Sequence, residues 1–244
     1  MATMTAGEHS FEFALNSAAS VAVHRIGADA EPVIVIDHVM TDPHALIEYA
    51  AAGPAFVGDG GAGYPGVRAP APHGYVETLG RRLDPLVQRT FDLHDVTLVH
   101  ADCSFSIVTT PPEALVPHQR IPHIDTNYPL QFAVLHYLCD GNFGGTGFYR
   151  HKASGLEAIS PQQAGDYAAR RDREMAASPP SQGYIGPDSQ HYVQTGAFDA
   201  VFDRLLVYRS CRLHCGLIPP TMTLSPNPRE GRLTVTTFMT YVRR

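Results

Sequence analysis

Residues 232–236 read Arg232-Leu233-Thr234-Val235-Thr236, and this run decides the fold. On a strand, alternate residues face opposite sides. Arg232, Thr234 and Thr236 therefore share one face, and Leu233 and Val235 share the other. The apolar pair asks for a core. An arginine aimed inward beside two hydroxyls is costly unless it meets an anion. The run reads as a strand with packing on one side and chemistry on the other, or else as the solvent-exposed start of an edge strand. Asn227-Pro228-Arg229-Glu230-Gly231, just before it, is a turn.

Working back from this strand, β-branched and aromatic runs predict further strands over 97–109, 130–139, 147–150 and 205–208, with the last strand continuing to 242. The N-terminal third has a different texture. A β-branched run predicts a strand over 31–38, then Asp42 and Pro43 open a helix with Leu46, Ile47 and Ala50 on one face. That helix ends near Gly53-Pro54, and the Gly- and Pro-rich stretch 58–74 reads as a loop. Helical spacing returns from Val76 to Phe91, with Pro85 predicting a kink or a second helix capped by Asp84. Ser160-Pro161 opens a polar helix to Ala177, and 178–189 is a loop, so about 155–195 reads as an insertion. The fold predicted is mainly β with flanking α, a β-sandwich or jelly roll with N-terminal helices packed on one sheet. One domain is expected over 1–244, with 1–96 supplying the first strand and the helices and 97–244 the β core.

The chain has 244 residues, of which 44% are hydrophobic and 17% charged, as in an ordinary globular protein. Its net charge of −6 and the absence of a dense basic stripe argue against nucleic acid as a partner. No apolar run is long enough to span a membrane, and residues 1–16 lack the basic start of a secretory signal. Cys103, Cys139, Cys211 and Cys215 are scattered and read as free thiols in a reducing compartment, so a cytoplasmic location is expected.

His123-Ile124-Asp125 is the second informative run. On a strand His123 and Asp125 project together, giving two ligands from one element. His214, in Leu213-His214-Cys215-Gly216, can supply a third from a facing strand. Two imidazoles and a carboxylate can hold one face of an iron(II) ion and leave the other positions open. His118 is a competing imidazole, but His123 alone shares a strand face with Asp125. A Cys-His zinc site around Cys211 and Cys215 lacks a further ligand nearby.

The ordered set His123-x-Asp125, Gly144-Gly145-Thr146-Gly147-Phe148-Tyr149, His214 and Arg232-x-Thr234 resembles the Fe(II)/2-oxoglutarate-dependent dioxygenases, in particular the prolyl-hydroxylase-like branch. The strings YPGVRAP, FGGTGFYRHK, LHCG and GRLTVTTF resemble an uncharacterised bacterial family of that superfamily, with no settled substrate. The superfamily motifs cover roughly 100–242, and the likeness to the bacterial family begins near residue 33. The resemblance implies a double-stranded β-helix (cupin-like), with iron held by His123, Asp125 and His214 and the far carboxylate of 2-oxoglutarate held by Arg232. It implies O2 as the oxidant and hydroxylation of a C–H bond, since halogenating relatives replace the carboxylate that is Asp125 here.

Among the remaining residues, Thr234 can add a donor beside Arg232. Tyr137 either reaches 2-oxoglutarate or is a core tyrosine with a satisfied hydroxyl. Gly144-Gly145 lets backbone pass close to another strand or the cosubstrate, or forms a tight turn. Arg68, Arg150 and His151 either face the substrate or are structural. Asn127 either orients a ligand or forms the turn before Pro129. A small molecule or a peptide is the expected substrate, and the oligomeric state is unread. Two rivals stay open: a cupin-like metal barrel without 2-oxoglutarate chemistry, and a non-catalytic binding module.

Overall fold

The computed structural model describes residues 13–58 and 63–244. Among them run strands β1 (Ser20–Ile26), β2 (Glu31–Asp37), β3 (Val57–Gly58), β4 (Gly66–Pro70), β5 (Val96–Val108), β6 (Gln131–Tyr137), β7 (Gly145–His151), β8 (Tyr192–Asp199), β9 (Arg204–Arg209), β10 (His214–Leu217) and β11 (Leu233–Arg243). The helices are α1 (His44–Ala52), α2 (His73–Thr90) and α3 (Ala164–Ala177). The chain is mainly β, with two antiparallel sheets in a jelly-roll-like arrangement. The large sheet has the order β1-β2-β9-β6-β11-β5-β4-β3, and the small one β10-β7-β8.

β11 lies at the centre of the large sheet, with β6 on one side and β5 on the other. The edge-strand reading of Arg232 is thereby excluded. Leu233, Val235, Met239 and Tyr241 alternate onto one face and join a core with Leu46 and Ile47 of α1 and with Tyr75, Leu79, Leu83 and Val87 of α2. Both helices thus cover the same face of the sheet. Each fully buried side chain of this size contributes on the order of 1.5–3 kcal/mol. The opposite face meets the small sheet, where Phe148 packs edge-on against Tyr208 at 5.0 Å between ring centroids.

Several sequence expectations need correction. The stretch 58–74 is not all loop. β4 lies within it and pairs with β5, its Ala69 buried in the helix-side core, while residues 59–62 lie outside the described set, as do residues 1–12 of the N-terminal stretch. α2 runs unbroken through Pro85, and Asp84 bonds Gln88 one turn on rather than capping a new helix. α1 begins at His44, one residue later than expected, with Asp42 accepting a hydrogen bond from the His44 N–H. β8 starts at Tyr192, inside the segment read as insertion. No helix among the described residues is long and apolar enough to cross a membrane.

Candidate functional site

His123 is not on a regular strand. It forms a single antiparallel bridge to His214, each backbone N–H donating to the other's carbonyl at 2.9 Å. Two residues on, the Asp125 N–H donates to the Ser210 carbonyl at 2.9 Å. This stretch lies beside β10 at the edge of the small sheet, so strand alternation does not apply to it, although its side chains still converge. One candidate ligand atom from each of His123, Asp125 and His214 falls within 4.8 Å of the others. His123 Nε2 and His214 Nε2 each stand 3.7 Å from a different oxygen of Asp125. His118, on the short turn Pro117–Arg120, lines the same cavity but lies outside this cluster.

The protonation states suit a metal. His214 Nδ1 lies 2.9 Å from the Arg212 carbonyl, so it carries the hydrogen and leaves the Nε2 lone pair aimed at Asp125. Burial pushes the His214 imidazole down to about 4, so it is neutral near pH 7. At Asp125 burial works to raise the carboxyl, but the neighbouring charges of His214, His123 and Arg68 outweigh it and hold it below the ordinary value. Burial raises the Cys215 thiol to about 12 and also raises Cys211, and neither thiol belongs to the cluster formed by His123, Asp125 and His214.

Arg232 is buried near the head of β11. Its Nε donates to the Phe143 carbonyl at 2.9 Å and its Nη2 to the Gly145 carbonyl at 3.0 Å. The guanidinium carbon lies 5.7 Å from the Tyr137 ring centroid. Among the described residues no carboxylate pairs with it. Two carbonyls orient the fork but do not neutralise it, which leaves a buried cation facing a cavity. That cavity, about 580 Å³, is lined by six of the sequence candidates: His123, Asp125, His214, Arg232, Thr234 and Arg68.

Three sequence candidates are not brought to it. Tyr137 is fully buried, its hydroxyl 2.5 Å from the Thr146 hydroxyl, and burial raises it to about 12. His151 sits under α3, bonded through Nδ1 to Ser154 at 2.8 Å and through Nε2 to Glu174 at 2.6 Å. Arg150 stands on the outside of β7, 3.9 Å from Glu157. Sequence reasoning missed Arg212, whose buried side chain bonds both Asp29 and Glu157 while its carbonyl orients His214. Its one sequence signal is its position two residues before His214. Tyr64 and Tyr184, which also line the cavity, were missed for want of any spacing that links them to the ligands.

A family model described as "Family of unknown function (DUF6445)" matches residues 17–239. No curated protein matches the chain. Among solved structures, HygX from Streptomyces hygroscopicus, with nickel and 2-oxoglutarate bound, aligns over 87% of this chain and 84% of its own at 14% identity and a TM-score of 0.41. An N-substituted L-amino acid dioxygenase from Burkholderia ambifaria AMMD, in complex with alpha-KG, aligns over 87% and 82% at 12% identity and a TM-score of 0.32. Likenesses this slight carry no weight for function. The chain belongs to the DUF6445 family.

Proposed function

We propose that this member of a family without an assigned activity is an Fe(II)- and 2-oxoglutarate-dependent oxygenase that hydroxylates a C–H bond. The observation that carries the reading is one cavity containing both the His123–Asp125–His214 cluster and the buried cation Arg232. The donor set of two imidazoles and a carboxylate fits iron(II). The strand order supports a double-stranded β-helix: β5, β11, β6 and β9 adjoin in the large sheet, and the His123 bridge, β10, β7 and β8 adjoin in the small one.

Bound iron with 2-oxoglutarate would supply the oxidation, one atom of O2 entering the C–H bond as a hydroxyl and the other entering succinate as CO2 leaves. The chain's own part is placement. His214 is held in its Nε2-ligating tautomer by the Arg212 carbonyl, and Asp125 is held ionised. Arg232, pre-oriented by the Phe143 and Gly145 carbonyls, offers a planar fork to the distal carboxylate of 2-oxoglutarate, with Thr234 beside it on the same strand face. Leu135, Ile218 and Phe238, with the ring of Tyr208, supply the apolar part of the cavity wall.

Anaerobic addition of Fe(II) and 2-oxoglutarate should give a weak visible charge-transfer band, and air should then give succinate. Asp125→Ala should lose metal binding. Arg232→Ala should keep metal affinity and lose 2-oxoglutarate binding. A metal-loaded wild-type protein that neither binds 2-oxoglutarate nor forms the band would overturn the proposal.

A further inference from the structure

Gly216 is a glycine that the fold does not ask for. It lies inside β10, two residues after His214 and on the same face, and it lines the cavity. A glycine within a strand weakens it, and the usual reasons for one are a bulge, a tight bend, or the close approach of another backbone or a ligand. The pairing of β10 with β7 keeps its register from His214 opposite Phe148 to Leu217 opposite Gly145, so Gly216 is no bulge. Its backbone lies outside the left-handed region. A Cβ there would meet the Ile218 side chain at 3.4 Å and Arg232 Nη2 at 3.8 Å, ordinary contact distances, and its nearest neighbours include no backbone atom. Gly147 on the neighbouring strand is different, since a Cβ there would crowd the Gln194 side chain at 2.8 Å and those of Leu217 and Tyr149 at 2.9 Å. For Gly216, the approach of a ligand is the reason left.

The position of Gly216 says which ligand. β10 carries His214 at its start, and Gly216 follows about 7 Å along the strand. Its register partner on β7 is Thr146, next to Gly145, whose carbonyl accepts from Arg232 Nη2 at 3.0 Å. Thr146 turns its hydroxyl onto that of Tyr137, at 2.5 Å. The bare Cα of Gly216 therefore stands between the three-residue cluster and the guanidinium, on the small-sheet side of the cavity, and Thr234 lines the large-sheet side.

We infer that Gly216 sets the bore of the cosubstrate pocket: its missing side chain leaves the space through which the methylene chain of 2-oxoglutarate passes from the metal cluster to Arg232. That role rests on the oxygenase reading above. A methyl group at this position would stand 3.8 Å from Arg232 Nη2, in the path of a carboxylate oxygen that must come within about 2.7–2.9 Å of the same guanidinium to bond it. The protein accommodates that methyl at ordinary contact distances, so the cost of adding it falls on the ligand and not on the fold.

Calorimetric titration of protein loaded with redox-inert Zn(II), using 2-oxoglutarate and oxalate in turn, tests this. Oxalate chelates a metal through both of its carboxylates and has no chain to send toward Arg232, so it reads the metal end of the site alone. Wild type should bind both. Gly216→Ala should bind 2-oxoglutarate about tenfold more weakly, the size of one charge-assisted hydrogen bond, and oxalate within about twofold of wild type. Gly216→Val should weaken 2-oxoglutarate further and still take oxalate. Free of ligands, Gly216→Ala should melt no lower than wild type, because alanine restricts the unfolded chain and meets no close contact. Unchanged 2-oxoglutarate affinity in Gly216→Ala would overturn the inference. So would an equal loss of oxalate, which places the damage at the metal ligands, or a ligand-free melt lowered by several degrees, which returns the glycine to packing. Failure of the oxygenase reading shows separately, in wild type: metal-loaded protein that takes oxalate but not 2-oxoglutarate would remove that reading and the role of Gly216 with it.

Discussion

Gly145 carries more of the site than its size suggests. A Cβ there would lie 2.0 Å from the Phe198 carbonyl oxygen, and one on Gly144, at φ +74°, would lie 1.6 Å from that of Leu217. The missing side chains let β7 start tightly against both β8 and β10, and the Gly145 carbonyl left in place orients Arg232. Gly145→Ala must push β8 away or tilt its own peptide. It should cost about 1–3 kcal/mol in stability, the range for overpacking. Because the displaced carbonyl holds Arg232 and no ligand, it should also weaken 2-oxoglutarate binding while leaving metal affinity unchanged. Paired urea melts and calorimetric titrations read both effects; unchanged 2-oxoglutarate affinity would show that Arg232 does not depend on this carbonyl.

At the scale of elements, periodicity of two exposed most of the large sheet because its central strands bury opposite faces for different reasons. β11 carries Leu233 and Val235 to the helices and Arg232 and Thr234 to the cavity, and both sets were legible in order along the chain. β4 was not legible, because Gly66 and Pro70 at its ends look like punctuation until β5 is there to pair with them. The same holds for Arg212 and Glu157: the ion pair exists only once Arg212 and Leu213, just before β10, are folded against Glu157 and Ala158. Between β2 and β9, Asp37 faces Arg204 in register, with Arg204 Nε and Nη2 donating to its two carboxylate oxygens at 2.6 and 2.9 Å. That hydrogen-bonded pairing holds the Asp37 carboxyl below its ordinary value of 3.8. A depressed folded pKa stabilises above the unfolded value and is lost as pH falls through the folded one. Arg204→Met should therefore cost about 1 kcal/mol at pH 7, the upper range for a partly exposed pair. The gap to wild type should shrink as pH drops below about 3.8. Urea melts across pH 7 to 3 measure it, and a pH-independent gap would assign the loss to packing of the arginine stem.

Across the whole molecule, the candidate ligands come from one sheet and the candidate carboxylate anchor from the other. His123, Asp125 and His214 lie along the edge of the small sheet, and Arg232 and Thr234 head the central strand of the large one. Occupying the metal cluster ties together segments of the small-sheet side only. Adding 2-oxoglutarate, held by metal at one end and Arg232 at the other, bridges the two sheets and couples their separation to ligand release. Ligand at a hundred times its Kd adds about 2.7 kcal/mol to stability, and each kcal/mol moves the Tm of a chain this size by roughly 2–4 °C. Metal alone should thus raise Tm by roughly 5–10 °C, and 2-oxoglutarate should add a comparable second step that depends on metal being present. Without metal, 2-oxoglutarate keeps one contact in place of two and should shift Tm far less. Thermal melts with Zn(II), with 2-oxoglutarate and with both together separate these cases. Independent, additive shifts would mean that the two ligands do not meet, and would place the Arg232 anion site apart from the metal cluster.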